Sequence, residues 1–252
     1  MITSFSNPKV KMIRDLLERA RERRAAGAFI IEGIRMFRET PEKMLRETFV
    51  SESFHKDNPD VNGEVLSDSI FARISDTKTP QGVMAVVTQP EYSFSDIVGG
   101  EKGLYLVLEG IQDPGNLGTM LRTGEAAGVK GIIMDRKTAD IFSPKVVRST
   151  MGAIYRVPFL YTEDLAGTLE MMKEEGICIY AACLEGDKNY HETEYSDMTA
   201  FLIGNEGNGL SPRIIEMSDK KIRIPMKGKT ESLNAAVSAS ILMYRYATTK
   251  GE

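Results

Sequence analysis

The chain has 252 residues, of which 42% are hydrophobic and 27% are charged, and its formal net charge is −4 at pH 7. This length allows one large domain or two modest ones, and the apolar fraction is ample for a buried core. No run approaches the roughly 18 apolar residues of a membrane span, and the N-terminus lacks the apolar stretch of a secretory signal. The composition therefore argues against a membrane protein and against a uniformly basic surface, and it predicts a cytoplasmic location.

Residues 9 to 24 form a basic segment with seven basic side chains against three acidic ones, so it is locally +4. Helical spacing of charges like this is commonly the solvated face of a helix, and the same charges would also suit a polyanionic partner. The basic side chains are Lys9, Lys11, Arg14, Arg19, Arg21, Arg23 and Arg24.

The pattern of strands and turns divides the chain in two. Residues 28 to 98 contain short strand-like runs, AFIIE, TFVSE and GVMAVV, between helical stretches. The run QPEYSFSDIVGGEKG follows, and its turn formers and double glycine are typical of a linker. We predict an N-terminal α/β domain at 1–95, a linker at 96–102 and a C-terminal α/β domain at 103–252.

Strands and helices alternate strictly in the C-terminal half. Strands are predicted at 104–109, 131–135, 157–161, 177–184, 200–204 and 221–225, and helices at 116–127, 144–151, 163–175, 212–217 and 232–248. Such alternation predicts a mostly parallel sheet that is covered on both faces. Cys178 and Cys183 have no His or Cys neighbour and are predicted to be buried thiols, while His55 and His191 are isolated. We therefore predict no metal site.

Three strand-loop-helix junctions of this half carry polar residues where unpaired backbone N–H groups can bind ligands. They contain Asn116, Gly118 and Arg122; then Ile203, Gly204, Asn205, Glu206, Gly207 and Gly209; then Ile224, Pro225, Met226, Ser232, Leu233 and Asn234. The last junction opens a helix with a predicted buried stripe at Leu233, Ala236, Val237, Ile241 and Tyr244. Asn234, one residue inside that helix start, is either a helix cap or a ligand contact.

Two familiar nucleotide-binding motifs are excluded. Gly228-Lys229-Thr230 imitates the end of a phosphate-binding P-loop, but Arg223 stands where the first glycine belongs and Pro225 interrupts the loop. The glycines at 204, 207 and 209 have the reverse spacing of the dinucleotide fingerprint, and no acidic residue ends a following strand.

Together and in this order, the three junctions resemble the motifs of the SpoU/TrmH family of the SPOUT superfamily, the RNA ribose 2′-O-methyltransferases, over residues 103 to 248. The resemblance implies a C-terminal domain with a deep trefoil knot, an exception to the rule that chains avoid knots. It also implies S-adenosylmethionine (AdoMet) as cofactor, S-adenosylhomocysteine as product, no metal, and a homodimer built through the C-terminal domain. The N-terminal domain looks like the substrate-binding domain of several relatives, whose fold resembles kink-turn-binding ribosomal proteins.

The resemblance also implies roles for individual residues. Arg122 acts on the ribose 2′-hydroxyl or the neighbouring phosphate, and because guanidinium stays protonated we favour a clamp over a base. Asn116 and Glu206 are expected to hold Arg122 and the ribose, and Ser232 and Asn234 to hydrogen-bond the ribose or its phosphate. The residues expected around AdoMet are Ile203, Gly204, Asn205, Gly207, Gly209, Ile224, Met226 and Leu233. The basic side chains of residues 9 to 24 become candidates for contacts with RNA phosphates.

The sequence leaves open which RNA is methylated, ribosomal or transfer RNA, and whether the protein is catalytic at all. The extra N-terminal domain favours ribosomal RNA, most simply 23S, because minimal transfer-RNA enzymes of this type often lack such a domain. A transfer-RNA methyltransferase is the first alternative. A non-catalytic RNA-binding protein of the same fold is the second, and the presence of Arg122, Glu206 and Asn234 argues against it.

Overall fold

The structure, a computed structural model, describes residues 1–100 and 102–250. Residue 101 of the predicted linker and the last two residues of the predicted C-terminal domain lie outside this range. The strands are β1 (Ala28–Glu32), β2 (Leu45–Ser51), β3 (Glu64–Leu66), β4 (Val83–Thr88), β5 (Gly103–Glu109), β6 (Val129–Asp135), β7 (Phe159–Thr162), β8 (Cys178–Ala182), β9 (Lys188–Asn189), β10 (Met198–Gly204) and β11 (Lys220–Arg223). The α-helices are α1 (Pro8–Glu18), α2 (Ala20–Ala26), α3 (Ile34–Glu39), α4 (Glu52–Asp57), α5 (Asp68–Ile74), α6 (Phe94–Ile97), α7 (Pro114–Ala126), α8 (Pro144–Thr150), α9 (Leu165–Glu174), α10 (Pro212–Glu216) and α11 (Ala235–Lys250).

The chain forms two compact units. The first contains Met1–Pro90 and Asp140–Tyr155, and the second contains Glu91–Ala139 and the chain from Arg156 onward. The first break lies a few residues before the predicted linker. The predicted C-terminal domain also included the helix at 144–151, whereas α8 packs against β1 of the first unit. Alternation of strands and helices locates a helix along the chain, but it does not tell which sheet that helix covers.

The first unit is built on a four-stranded sheet in the order β1-β4-β2-β3. The pairs β1–β4 and β4–β2 are antiparallel, and β2–β3 is parallel. All five residues of β1 are buried, as its apolar run predicts. The three-residue β3 is too short to be recognised in the sequence.

The basic N-terminal segment forms two helices instead of one. Asn7 caps α1 by accepting a hydrogen bond from the amide of Lys9, and Arg19 ends the helix with extended backbone angles (φ −123°, ψ 112°). Arg23 is only 4% exposed. Its guanidinium donates to the carbonyls of Leu16 and Leu17 and forms an ion pair with Asp140 at 2.7 Å. Arg23 therefore stabilises this unit. Because its guanidinium is buried and hydrogen-bonded within the chain, the prediction that Arg23 contacts RNA is wrong.

The other basic side chains of this segment divide into paired and unpaired groups. Lys9 contacts Glu47 and Glu64, and the two arginines Arg14 and Arg19 pair with acids one turn away on the same helix. Lys11, Arg21 and Arg24 are exposed and have no ion pair among the residues that the structure describes. These three are the cations of the segment that remain available to a polyanion.

The second unit is built on a parallel sheet, as predicted. Its seven described strands run in the order β7-β6-β5-β10-β8-β11-β9, and every neighbouring pair is parallel. The central strands β5 and β10 are almost entirely buried, which fits their continuous apolar sequences. The two-residue β9 was not predicted. Cys178 and Cys183 are free thiols and are half-buried, less enclosed than predicted.

The last helix begins later and buries a different face than predicted. Its side chains at Ala235, Ala236, Ala239, Leu242, Met243 and Tyr246 are buried. Val237 and Tyr244, assigned to the buried stripe from the sequence, are each 47% exposed. Apolar residues occur on both faces of this helix, so periodicity could not decide which one packs. No helix in the described part of the chain is long and apolar enough to cross a membrane.

The buried Arg23 gives the first prediction. Arg23→Ala should lower the free energy of unfolding by about 3 kcal/mol, because it leaves the carboxylate of Asp140 and two carbonyls without their partner. The exposed neighbour Arg24→Ala is the matched control and should change stability by less than about 0.5 kcal/mol. Urea unfolding followed by circular dichroism measures both, and equal stability of the two variants would contradict a structural role for Arg23.

Candidate active site

The three polar junctions meet at one edge of the parallel sheet. They follow β5, β10 and β11, and the carboxyl ends of parallel strands lie at the same edge. From β5 the sheet continues to β6 and β7 on one side and to β10 and β8 on the other. Ligands of open α/β sheets bind at such a reversal of strand order.

A chain of side-chain hydrogen bonds joins the three junctions directly. The Nδ2 of Asn234 donates to Oδ1 of Asn116 at 2.8 Å. The Nδ2 of Asn116 donates in turn to Oε1 of Glu206 at 2.9 Å. Asn116 is 9% exposed, so its amide depends on these two partners. We refer to Asn116, Glu206 and Asn234 as the polar triad.

Glu206 is the most heavily bonded member of the polar triad. Besides Asn116 it accepts the backbone amides of Gln112 at 3.1 Å and Asp113 at 3.0 Å. Burial alone would raise the pKa of Glu206, but hydrogen bonds from Asn116 and from these amides outweigh it and lower the pKa. The carboxylate therefore stabilises the site above the ordinary pKa of glutamate, and this contribution is lost as pH falls through the lowered value.

Helix caps fix the two asparagines. The side chain of Asp113 accepts the amide of Asn116 at 2.9 Å, and Pro114 occupies the first turn of α7. The Oδ1 of Asn234 accepts the amides of Ala236 and Val237 at 2.9 and 3.2 Å. Asn234 is thus the N-cap of α11 and precedes the helix, whereas the sequence placed it inside. Its Nδ2 remains for Asn116.

Arg122 does not belong to this network. It lies on α7 beyond Asn116, its side chain is exposed, and no hydrogen bond or ion pair joins it to other described residues. The expectation that Asn116 and Glu206 hold Arg122 is therefore not met within the chain, because their polar atoms are occupied by each other, by backbone amides and by Asn234. The guanidinium thus has no partner among the described residues and is exposed to a partner outside the chain.

A cavity of about 500 Å³ opens beside the glycine loop. Glu206 and Ser232 line it, whereas Asn116, Arg122 and Asn234 do not. All eight residues expected around the cofactor also line it, namely Ile203, Gly204, Asn205, Gly207, Gly209, Ile224, Met226 and Leu233. The structure thus brings the second and third junctions together around one space.

The glycine loop needs glycine at two positions. Gly209 has a left-handed φ of +65°, and it pairs with Asn205 through two backbone hydrogen bonds that close the loop. A Cβ at Gly204 would overlap the backbone of Gly209 and Leu210. Gly207 has neither restriction, since a Cβ there would meet only the side chain of Asn205 at an ordinary 3.5 Å.

Sequence reasoning missed one wall of the cavity. The segment after β8 contributes Cys183, Leu184, Glu185 and Asp187. It reaches the cavity because β8 lies between β10 and β11 in the sheet, and strand order is not readable from the chain. Across the described residues, no group of three or more His, Cys, Asp and Glu side chains could hold a metal ion.

The glycine loop gives the second prediction. Gly204→Ala should weaken binding of S-adenosylmethionine at least about 10-fold, since the new Cβ must displace the loop backbone. Gly228→Ala lies outside the cavity lining, at a position where a Cβ would meet no other atom, and should stay within about 2-fold of the parent. Isothermal calorimetry measures both affinities. An unchanged affinity for Gly204→Ala would separate the loop from the cofactor site.

The chain matches two known families in its two halves. Residues 103–244 match the SpoU rRNA Methylase family, and residues 7–85 match the MRM3-like substrate binding domain. The chain is 33% identical over 251 residues to the 23S rRNA (guanosine(2553)-2′-O)-methyltransferase RlmP of Bacillus subtilis, covering 96% of this chain and 97% of that protein.

Solved structures give the same result. An AdoMet-bound rRNA methyltransferase from Sinorhizobium meliloti is 28% identical with a TM-score of 0.86, over 98% of this chain and 97% of that one. The TrmH/SpoU tRNA modifying enzyme of A. aeolicus is 29% identical with a TM-score of 0.52, over 60% of this chain and 78% of that one. The resemblance in the three junctions is thereby confirmed, and the chain belongs to the SpoU rRNA methylase family.

Proposed function

We propose that this chain is an RNA methyltransferase that transfers a methyl group from S-adenosylmethionine to a ribose 2′-hydroxyl of 23S ribosomal RNA. The observation that carries the proposal is the polar triad, which joins the three family motifs beside a cavity lined by every residue expected around the cofactor. A ribosomal RNA substrate agrees with the cytoplasmic location expected from the sequence.

The cavity fits the cofactor in size and in chemistry. Its volume of about 500 Å³ lies within the usual range of small-molecule sites, roughly 300–1,000 Å³. Its wall combines apolar side chains such as Ile203, Ile222 and Leu233 with exposed backbone of the glycine loop. Apolar walls suit a purine ring, and backbone N–H and C=O groups suit its polar edge. When bound, AdoMet supplies an electrophilic methyl group on a cationic sulfur.

The proposed roles follow from which polar atoms are occupied. Glu206 and Asn116 are positioning residues, because their hydrogen bonds hold the loop after β5 and the glycine loop in register. Arg122 has an exposed and unpaired guanidinium within the described chain, which suits a two-pronged contact with an RNA phosphate and the neighbouring hydroxyl. Ser232, at the cavity wall, is proposed to hydrogen-bond the same nucleotide. Together they orient the hydroxyl toward the methyl group.

Two observations support ribosomal RNA over transfer RNA. The N-terminal residues 7–85 match a substrate-binding domain, and the similarity to the Bacillus subtilis 23S rRNA enzyme extends over 96% of this chain. The similarity to the A. aeolicus tRNA enzyme covers only 60%. We propose that the first unit has the fold of kink-turn-binding ribosomal proteins and that it selects the RNA. A transfer-RNA substrate is the alternative.

The same family membership supports a knotted homodimer. A trefoil knot would lie in the second unit, where the glycine loop after β10 folds back tightly against itself at Gly204 and Gly209. Val237 and Tyr244 lie on one side of α11 and are each 47% exposed. Large exposed apolar side chains on an otherwise ordinary helix suit burial against a second copy of the chain in a C2 dimer.

Arg122 gives the third prediction, which tests the proposed reaction. Arg122→Ala should abolish methyl transfer to 23S rRNA while folding and AdoMet binding survive. Arg122→Lys keeps the charge but loses the planar fork, so its turnover at saturating RNA should stay about 100-fold below the parent, or about 3 kcal/mol of transition-state stabilisation. Tritium transfer from labelled AdoMet measures both. Turnover by the Ala variant would contradict a catalytic role, and near-parental turnover by the Lys variant would contradict the clamp.

The fourth prediction concerns the exposed cations of the N-terminal helices. Replacing Lys11, Arg21 and Arg24 together by Ala should weaken RNA binding and reduce the slope of log K against log salt by about 2, since fewer counterions are released. The matched control carries Lys11→Arg, Arg21→Lys and Arg24→Lys. It keeps all three positive charges and should retain the parental slope. Filter binding at several salt concentrations measures this. An unchanged slope in the Ala variant would mean that these side chains do not contact RNA and only form the solvated face of the helices.

The fifth prediction concerns the dimer. The parent should show twice the chain mass of 28.0 kDa in light scattering. The double variant Val237→Glu and Tyr244→Glu should be monomeric, because two buried carboxylates would have to lose water at the interface. Met171→Glu, at a similarly exposed position on α9, is the control and should remain dimeric. A monomeric, fully active parent would refute the proposed assembly.

A further inference from the structure

The backbone of the loop after β8 is attached to β11 and places two carboxylates at the cavity wall. The amide of Cys183 donates to the carbonyl of Ile222 at 3.0 Å, and the amide of Asp187 donates to the carbonyl of Lys221 at 3.1 Å. Both ends of the loop are therefore attached to β11. Between them, Gly186 packs so closely that a Cβ would overlap the backbone of β11. Glu185 and Asp187 flank this glycine and line the cavity.

The charges around the cavity are strongly unbalanced. Four carboxylates and one lysine line it, namely Glu185, Asp187, Glu206, Glu231 and Lys221. Glu206 is occupied by the polar triad and by backbone amides. Glu185, Asp187 and Glu231 are exposed and form no ion pair with any other residue that the structure describes. We call these three residues the acidic rim.

Glu185 and Asp187 act on the thiol of Cys183, which lines the same cavity. Burial is the main cause that raises the pKa of Cys183. Lys221 lowers it, and the carboxylates of Glu185 and Asp187 raise it again. Because Cys183, Glu185 and Asp187 all line the cavity, both carboxylates also face the space in which a ligand would lie.

The methyl donor and its product differ by one charge. S-adenosylmethionine carries a sulfonium, an ammonium and a carboxylate, so its net charge is +1. Loss of the methyl group converts the sulfonium into a neutral thioether, so S-adenosylhomocysteine has no net charge. The two molecules otherwise share every group that a cavity can recognise. Discrimination between them must come from this charge or from the methyl group itself.

We infer that Glu185 and Asp187, together with Glu231, make the cofactor cavity select the cationic methyl donor over its neutral product. This inference rests on the function proposed above. The acidic rim attracts the donor, and the attraction falls when methyl transfer removes the charge. The neutral product is therefore bound more weakly than the cationic donor, and a new donor molecule replaces it in the cavity. The acidic rim acts on ligand exchange and takes no part in the transfer step.

The test compares three ligands by calorimetry at low ionic strength. They are S-adenosylmethionine, S-adenosylhomocysteine and sinefungin, in which an amine replaces the methylsulfonium and restores the positive charge. The variants are Glu185→Gln, Asp187→Asn and the two combined, and Glu174→Gln on α9 is an exposed carboxylate control outside the cavity. The full-length parent is the reference.

In the combined variant, affinity for the two cationic ligands should fall about 10-fold, while affinity for S-adenosylhomocysteine changes less than about 2-fold. Each single variant should show part of this loss, and the control none. Raising the salt concentration should shrink the donor preference of the parent, because screening acts on exposed charges.

Two results would overturn the inference and leave the proposed function intact. In one, the ratio of donor to product affinity is the same in the parent and in the combined variant. In the other, all three ligands weaken equally, which would mean that the two carboxylates act on a group that the three ligands share, such as the ammonium, or only on the loop itself. A parent that binds none of the three ligands would instead refute the proposed function, and the inference with it.

Discussion

The hydrogen bonds of the polar triad are the constraint on which the rest of the second unit depends. They join residues 90 and 118 positions apart in the chain, at the ends of three different strands. A hydrogen bond to a charged group contributes about 1.5–3 kcal/mol, and an amide left unpaired in a buried place costs a similar amount. Asn116 stands in the middle and is satisfied only if both neighbouring loops are in place. The three junctions must therefore form together, and the cavity beside them forms with them.

The triad also decides which charges remain available. Glu206 is ionised and fully engaged with neutral donors, so it does not need an arginine for its stability. Arg122, on the same helix as Asn116, keeps its guanidinium exposed. Positive charge is thus offered on α7, where a polyanion would be clamped, and negative charge is concentrated at the cavity, where a cationic cofactor would bind. A net charge of −4 over the whole chain is compatible with RNA chemistry because the two signs are separated in this way.

In the first unit, the number of basic side chains is larger than the number that an RNA could contact. Its N-terminal segment contains seven basic side chains, yet Arg23 is buried against Asp140 and others are paired with nearby acids. A basic side chain that is already paired with a carboxylate can bind an RNA phosphate only if it gives up that carboxylate. The loss of the first ion pair offsets much of the free energy gained from the second. The electrostatic contribution that we propose for this segment therefore comes from Lys11, Arg21 and Arg24, which have no ion pair within residues 1–100 and 102–250.

Sequence alone determined the parallel α/β architecture, the three polar junctions and the family, because these depend on residue order and on local turn and cap chemistry. The strands β1, β5 and β10 were recognisable from continuous apolar runs, and Pro114 and Asp113 mark the start of α7. The buried face of α11 was not recognisable, since both of its faces carry apolar residues and only packing distinguishes them. The burial of Arg23, the freedom of Arg122 and the acidic wall after β8 were also decided by tertiary structure. Each depends on which distant segment lies beside it, and strand order and helix placement arise only when the sheet assembles.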